Sequence, residues 1–175
     1  LTVAGDNGRK YSVHRVYEED HFSGDFLHKI AVRTNRDGES NFSFAPSWGM
    51  SNETADAAHS PLAVQSANGD FLYVAFYEES RPKLYLREII AGITYQDYGY
   101  LSYGTWYWLE VERDESTGTY GTLLCRIYSD ESRTVLVDTL SVTLHEKEDF
   151  RTLYACATGS FGDEHTLLVK DFDID

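Results

Sequence analysis

Three carboxylates spaced two residues apart stand in the run Gly104-Thr105-Trp106-Tyr107-Trp108-Leu109-Glu110-Val111-Glu112-Arg113-Asp114. Side chains alternate across an extended strand, so Glu110, Glu112 and Asp114 share one face. Neighbours on that face lie about 6–7 Å apart, near the separation at which paired carboxylates cleave glycosidic bonds. Trp106 and Trp108 point the same way and offer flat apolar surfaces to sugar rings. The plainer account of the same run puts Tyr107, Leu109 and Val111 in a core. The acids are then only the wet side of the strand.

A binding surface asks less of a sequence than catalysis does. Sugars are held by aromatic faces against their C–H patches and by planar polar groups at their hydroxyls. Besides Trp106 and Trp108, the candidates are Tyr85 and Arg87, opposite the expected core of their strand. Trp48 joins them from the small polar segment Ser47-Trp48-Gly49-Met50-Ser51-Asn52, because a loop tryptophan is hard to explain by core packing. Tyr95, Tyr98, Tyr100 and Tyr103 form a further cluster. The competing account is the ordinary use of Tyr and Trp in strands.

Acids are also placed to serve a hard cation. Asp171 and Asp173 fall two apart near the end of the chain, and Asp20 and Asp25 flank an early turn. Calcium takes roughly six to eight oxygens, so two or three acids plus carbonyls would suffice; solvated charge is the competing account. Other chemistry is poorly supported. His14, His21, His28, His59, His145 and His165 show no pair at metal spacing, and no phosphate loop or nucleophile elbow is present. Cys125 and Cys156 each fall within an expected strand and read as buried free thiols, with a disulfide between neighbouring strands as the alternative.

The elements that must position these residues are strands. Residues 104–144 read as an antiparallel meander of three apolar runs, turning at Glu115 to Gly121 and again at Ser129 to Arg133. Before it, strands are expected over 11–17, 26–33, 41–48, 62–67, 71–77, 83–90 and 93–98. Phe26, His28, Ile30 and Val32 face one way in the second of these, and Pro46 weakens the third. After the meander, 151–158 and 165–174 are the last strands. Many short strands at near-regular spacing mean a sandwich or barrel.

At 175 residues the chain suits one domain with a full core. Its net charge of −14 repels phosphate backbones, which excludes nucleic acid as an expected partner. No apolar run is long enough to insert in a membrane. The chain begins at Leu1 rather than Met, so it reads as a piece of a longer or processed protein.

The runs Leu84-Tyr85-Leu86-Arg87-Glu88, Thr105 to Asp114 and Gly118 to Leu123, with Ile127 to Asp130 before Leu136 to Leu140, carry a resemblance. Over about residues 15–175 the chain resembles the concanavalin A-like jelly rolls, which include laminin-G-type domains and lectin/glucanase sandwiches. The resemblance implies an all-β, single-domain jelly-roll β-sandwich over 1–175, made of two antiparallel sheets. It is similar to laminin-G-like modules of microbes and their viruses, which implies an extracellular, cell-surface or virion setting. It also implies a structural calcium at the sandwich rim, with Asp25, Asp171 and Asp173 as the candidate ligands. Retaining glucanases of this superfamily carry Glu, Asp and Glu at alternate positions of one strand. Here the order is Glu110, Glu112, Asp114, and the third acid meets the turn. The function expected is therefore non-catalytic, lectin-like recognition of a glycan or polysaccharide through Trp48, Tyr85, Arg87, Trp106 and Trp108. A glycoside hydrolase using Glu110 and Glu112 is the alternative. A structural or assembly module, binding protein through an exposed sheet face, is the second.

Overall fold

Strict two-residue alternation of apolar and polar side chains builds strands with one buried face, and two such sheets bury those faces against each other. The computed structural model describes residues 2–4, 10–18, 21–36, 43–52, 69–78, 81–160 and 165–174. The strand expected over 62–67 lies outside these residues, as does Asp20. The described strands are β1 (Thr2–Ala4), β2 (Lys10–Val16), β3 (Phe26–Arg36), β4 (Ser43–Ser51), β5 (Phe71–Glu78) and β6 (Pro82–Ile90). They continue with β7 (Ile93–Tyr100), β8 (Tyr107–Asp114), β9 (Thr122–Tyr128), β10 (Leu136–Thr143), β11 (Thr152–Ser160) and β12 (His165–Ile174).

They form two antiparallel six-stranded sheets, in the orders β1-β12-β3-β8-β9-β10 and β2-β11-β4-β5-β6-β7. We call these the first and second sheets. The expected meander is β8-β9-β10, with Val111 opposite Cys125 and Cys125 opposite Leu140. Its turns are ordinary in chemistry. Gly121 holds φ at +100°, where a Cβ would stand 2.7 Å from the Asp114 carbonyl oxygen, so only glycine fits the return into β9.

The core lies between the sheets. Ile30, Val32, Leu109, Val111, Leu123 and Ile127 of the first sheet meet Trp48, Met50, Leu72, Val74, Leu84 and Leu86 of the second. Tyr107, Leu109 and Val111 are buried while Trp108, Glu110 and Glu112 are half-buried, so the plainer account of that run describes β8. Carried one step further, the same alternation buries Arg113. Its guanidinium donates to the Glu148 carbonyl oxygen at 2.6 Å and pairs with the Glu115 carboxylate.

β4 departs from expectation. It runs on through Trp48 to Ser51, and Trp48 is fully buried. Pro46 is accommodated by a bulge between Pro46 and Trp48 in the pairing with β5, where its missing N–H breaks no ladder. Beyond the bulge Trp48 turns inward, and its indole Nε1–H donates to Nδ1 of His28 at 3.0 Å. Trp48 therefore belongs to the core and offers no face to a ligand. The polar look of its surroundings was misleading because Ser47 and Ser51 are themselves buried, with Ser47 Oγ donating to the Val74 carbonyl.

Cys125 is a free, buried thiol, and burial holds its pKa far above the ordinary range. In a Cys156→Ser variant, iodoacetamide is expected to leave the native protein unlabelled and to label it fully in urea. Prompt native labelling would show Cys125 to be reachable.

His28 is fully buried, and burial lowers its pKa to about 4 against the opposing pull of Asp173. An imidazole that accepts from Trp48 must be neutral, so folding excludes a proton that the unfolded chain binds below its ordinary value near 6.5. Its contribution is complete above that value and is lost as pH falls toward 4, about 3 kcal/mol in all. His28→Gln keeps an acceptor near the indole but cannot titrate. Urea unfolding of both proteins at neutral pH and near pH 4.5 should therefore show a shallower pH dependence in the variant. Equal slopes would remove His28 from the pH response.

Candidate functional site

The outer face of the first sheet carries most of the residues that looked chemical in sequence. Glu110 Oε2 accepts from the Tyr128 hydroxyl at 3.0 Å, and Glu112 pairs with Arg126 across β9. Asp114 ends the strand by accepting from the backbone and hydroxyl of Ser116 and from Thr117, and these bonds hold its carboxyl below the usual carboxylate range. The three acids do share a face, as alternation requires, but each is engaged by its own local partner. Trp106 and Trp108 stand beside them, each with a cation near its ring. Lys170 Nζ lies 5.0 and 5.6 Å from the two ring centroids, and the Arg33 guanidinium lies 5.3 Å from Trp106.

Two of the three expected metal ligands have local partners of their own. Asp25 accepts from the Glu115 backbone N–H at 2.7 Å, at the start of β3. Asp171 pairs with Lys170 at 3.3 Å. A bulge lies between Lys170 and Asp173, with φ of +52° at Asp171, and both aspartates are exposed. Among the described residues, no three His, Cys, Asp or Glu side chains converge as metal ligands.

A different set of residues comes together on the outer face of the second sheet. Register places Tyr73 opposite Arg87, Tyr85 opposite Tyr98, and Lys83 opposite both Tyr77 and Tyr100, all pointing away from the core. The rings touch in a row across three strands, edge to face at both ends and tilted between Tyr85 and Tyr98. Tyr77 and Tyr85 lie 4.8 Å apart, Tyr85 and Tyr98 5.1 Å, and Tyr98 and Tyr100 5.8 Å. The row is buried at one end and open at the other: Tyr73 is 1% and Tyr85 9% exposed, whereas Tyr98 is 45% and Tyr100 48% exposed.

Arg87 sits among these rings. Its guanidinium carbon is 4.4 Å from the centroids of both Tyr77 and Tyr85, and Nη1 donates to the hydroxyls of Tyr73, at 3.0 Å, and Tyr77. Burial pushes both phenols up in pKa, more than Arg87 brings them down, so both stay protonated at neutral pH. Behind Arg87, the same face carries Phe71, Ala75, Ile89 and Tyr154 in a second apolar cluster. Gly49 makes room for it, since a Cβ there would stand 2.7 Å from the Phe71 ring.

Of the expected ligand residues, the structure brings Tyr85 and Arg87 together and leaves Trp106 and Trp108 on the opposite sheet. Tyr73, Tyr77 and Lys83 were not singled out in sequence, although alternation in β5 and β6 sets them on the face of Arg87. Alternation also divides the tyrosine cluster of β7. Tyr98 and Tyr100 face outward, while Tyr95 turns in and stacks on His145 with ring centroids 3.4 Å apart.

No protein-family model matches the chain, and no curated protein matches it in sequence. Solved structures do match in shape. The alginate lyase Aly36B superposes with a TM-score of 0.58 at 13% identity, over 99% of this chain and 79% of that one. Basic winged bean lectin, in complex with Tn-antigen, gives 0.54 at 12% identity over 91% and 76%. An endo-β-1,4-glucuronan lyase from the fungus Trichoderma reesei gives 0.55 at 10% identity over 99% and 79%. At such identities the likeness is one of fold. The chain has the jelly-roll sandwich fold of the concanavalin A-like proteins that its sequence resembles.

Proposed function

We propose that this chain is a non-catalytic carbohydrate-recognition module that holds a glycan on the outer face of β5, β6 and β7. The observation that carries this reading is the tyrosine row whose last two members, Tyr98 and Tyr100, are half exposed on an otherwise well-packed face. Tyrosine binds sugars with its ring against their C–H patches and its hydroxyl at their rim, and two adjacent rings suit successive sugars of a chain. Tyr85 and Arg87, anchored behind them, give the surface a preformed shape. The lectin and polysaccharide lyases that share the fold support a carbohydrate ligand.

Two features favour binding over catalysis. The phenols of Tyr73 and Tyr77 are held protonated, which disfavours their use as bases. Glu110 and Glu112 are engaged by Tyr128 and Arg126 on the outer face of the other sheet, away from the tyrosine row. No helix of the described residues is long and apolar enough to cross a membrane. A secreted, surface or virion protein that presents this module to polysaccharide is the setting we propose.

A glycan array probed with the wild-type chain and with Tyr98→Ala and Tyr100→Ala tests the assignment. Each variant should lose roughly tenfold in affinity for the best ligand, about 1.4 kcal/mol, with its unfolding transition unchanged. Trp106→Ala should bind as wild type does. The reverse pattern would move the site to the first sheet, and product formation from any bound glycan would make the module an enzyme.

A further inference from the structure

Among the described residues, the outer face of β5, β6 and β7 is sorted by charge in a way that the outer face of the first sheet is not. The sequence holds 29 acidic residues against 15 Lys and Arg. Following the registers of β5, β6 and β7, the outward positions among the described residues carry no Asp or Glu. Two described acids of these strands, Glu88 and Asp97, turn the other way. Glu88 is buried on the inward side, accepting from the backbone N–H and ring Nδ1 of His145, and Asp97 reaches across to accept from the Ser141 N–H of β10.

The outward positions of β6 instead carry Lys83 and Arg87, with Arg81 just before the strand. Each lies against a tyrosine face. Arg87 is held between Tyr77 and Tyr85, Lys83 Nζ lies 5.6 Å from both Tyr98 and Tyr100, and the Arg81 guanidinium lies 5.0 Å from Tyr100. Arg87 is the informative member. Its polar contacts are to two neutral phenols, with no carboxylate paired to it among the described residues, and its Nε–H is buried without a hydrogen-bond partner. A partly buried cation that lacks a counter-charge is costly, and an anion docked beside it recovers that cost.

Resting on the recognition role proposed above, we infer that the glycan is anionic: a polysaccharide whose sugars carry carboxylate or sulfate, with Arg87 as the central charge contact and Lys83 and Arg81 along the row. Alternating tyrosine faces and cations suit a polymer that presents a C–H patch and a negative group on each sugar. The sorting also answers a problem set by the whole chain. A surface of net charge −14 repels an acidic polymer, so the binding face must be cleared of carboxylates and supplied with cations at short range.

The test is calorimetric titration of the 175-residue chain with three matched pairs of probes: polygalacturonate and its carboxyl-reduced neutral derivative, alginate and its own, and dextran sulfate beside plain dextran. Binding to polyuronates at least tenfold tighter than to the reduced polymers is expected if the charge is carboxylate. The same preference for dextran sulfate over dextran is expected if it is sulfate. Arg87→Gln should abolish that preference, and Arg87→Lys should restore part of it. If Arg87→Gln fails to fold, Lys83→Gln, at a half-buried position over Tyr98 and Tyr100, is expected to reduce the preference by several-fold. Equal binding of charged and neutral polymers, sensitive to Tyr98→Ala, would overturn the anionic assignment and leave glycan recognition standing. No binding to these probes or to any array glycan would overturn both.

Discussion

The hydrogen bond from the Trp48 indole to His28 ties the second sheet to the first through the middle of the core. Phe22, Phe26 and His28 pack ring to ring around it, and Phe26 and His28 each lie within 5.9 Å of the Trp48 ring. Apolar burial alone resists separation of two sheets but sets their relative position weakly, because it is non-directional. One directed bond between two fully buried rings adds a fixed point. It demands a neutral imidazole, and the bulge at Pro46 and Ser47 is what turns the indole toward it. The outer face of the second sheet inherits its shape from that anchor, since Gly49, next to Trp48 in β4, supports the Phe71 and Tyr73 end of the tyrosine row.

The two outer faces are built on different electrostatic plans. On the first sheet, charges of both signs stand next to one another and neutralise in place: Glu112 with Arg126, Asp171 with Lys170, and cations over Trp106 and Trp108. Such half-exposed pairs add little stability but leave little charge to offer a ligand. On the second sheet, tyrosine rings stand against the cations of β6, and the described partners of Arg87 are phenols. A ring face attracts a cation without cancelling its charge, so Arg87 stays a site of positive potential. The sandwich rim is handled separately. Asp97 caps an N–H of edge strand β10, and Arg113 with Asn52 pins the connection from β10 to β11 through the Glu148 and Asp149 carbonyls.

Alternation was the most informative property of the sequence. It makes the β8-β9-β10 meander, the inward set Phe26, His28, Ile30 and Val32, and the outward placement of Glu110, Glu112, Tyr85 and Arg87 legible in the sequence. A period of two is a local consequence of backbone geometry, so it survives whatever the strand packs against. It fails where a strand carries a bulge. Trp48 is the case in point: it follows a bulge inside β4, and the small polar residues around it are themselves buried, so its inward turn leaves no pattern in composition.

The sequence by itself determined the class of fold, the strand-rich architecture and the face on which most residues lie, because these follow from local alternation and turn chemistry. Only the tertiary structure decided which faces became neighbours. Tyr73, Tyr77, Tyr85, Arg87, Tyr98 and Tyr100 come from three strands, and their meeting depends on the registers of β5 with β6 and β6 with β7. The order of strands within each sheet likewise put the tryptophans of β8 and the arginine of β6 on opposite sides of the molecule. Register and strand order are set by non-local packing of the buried faces, and no single stretch of sequence contains that information.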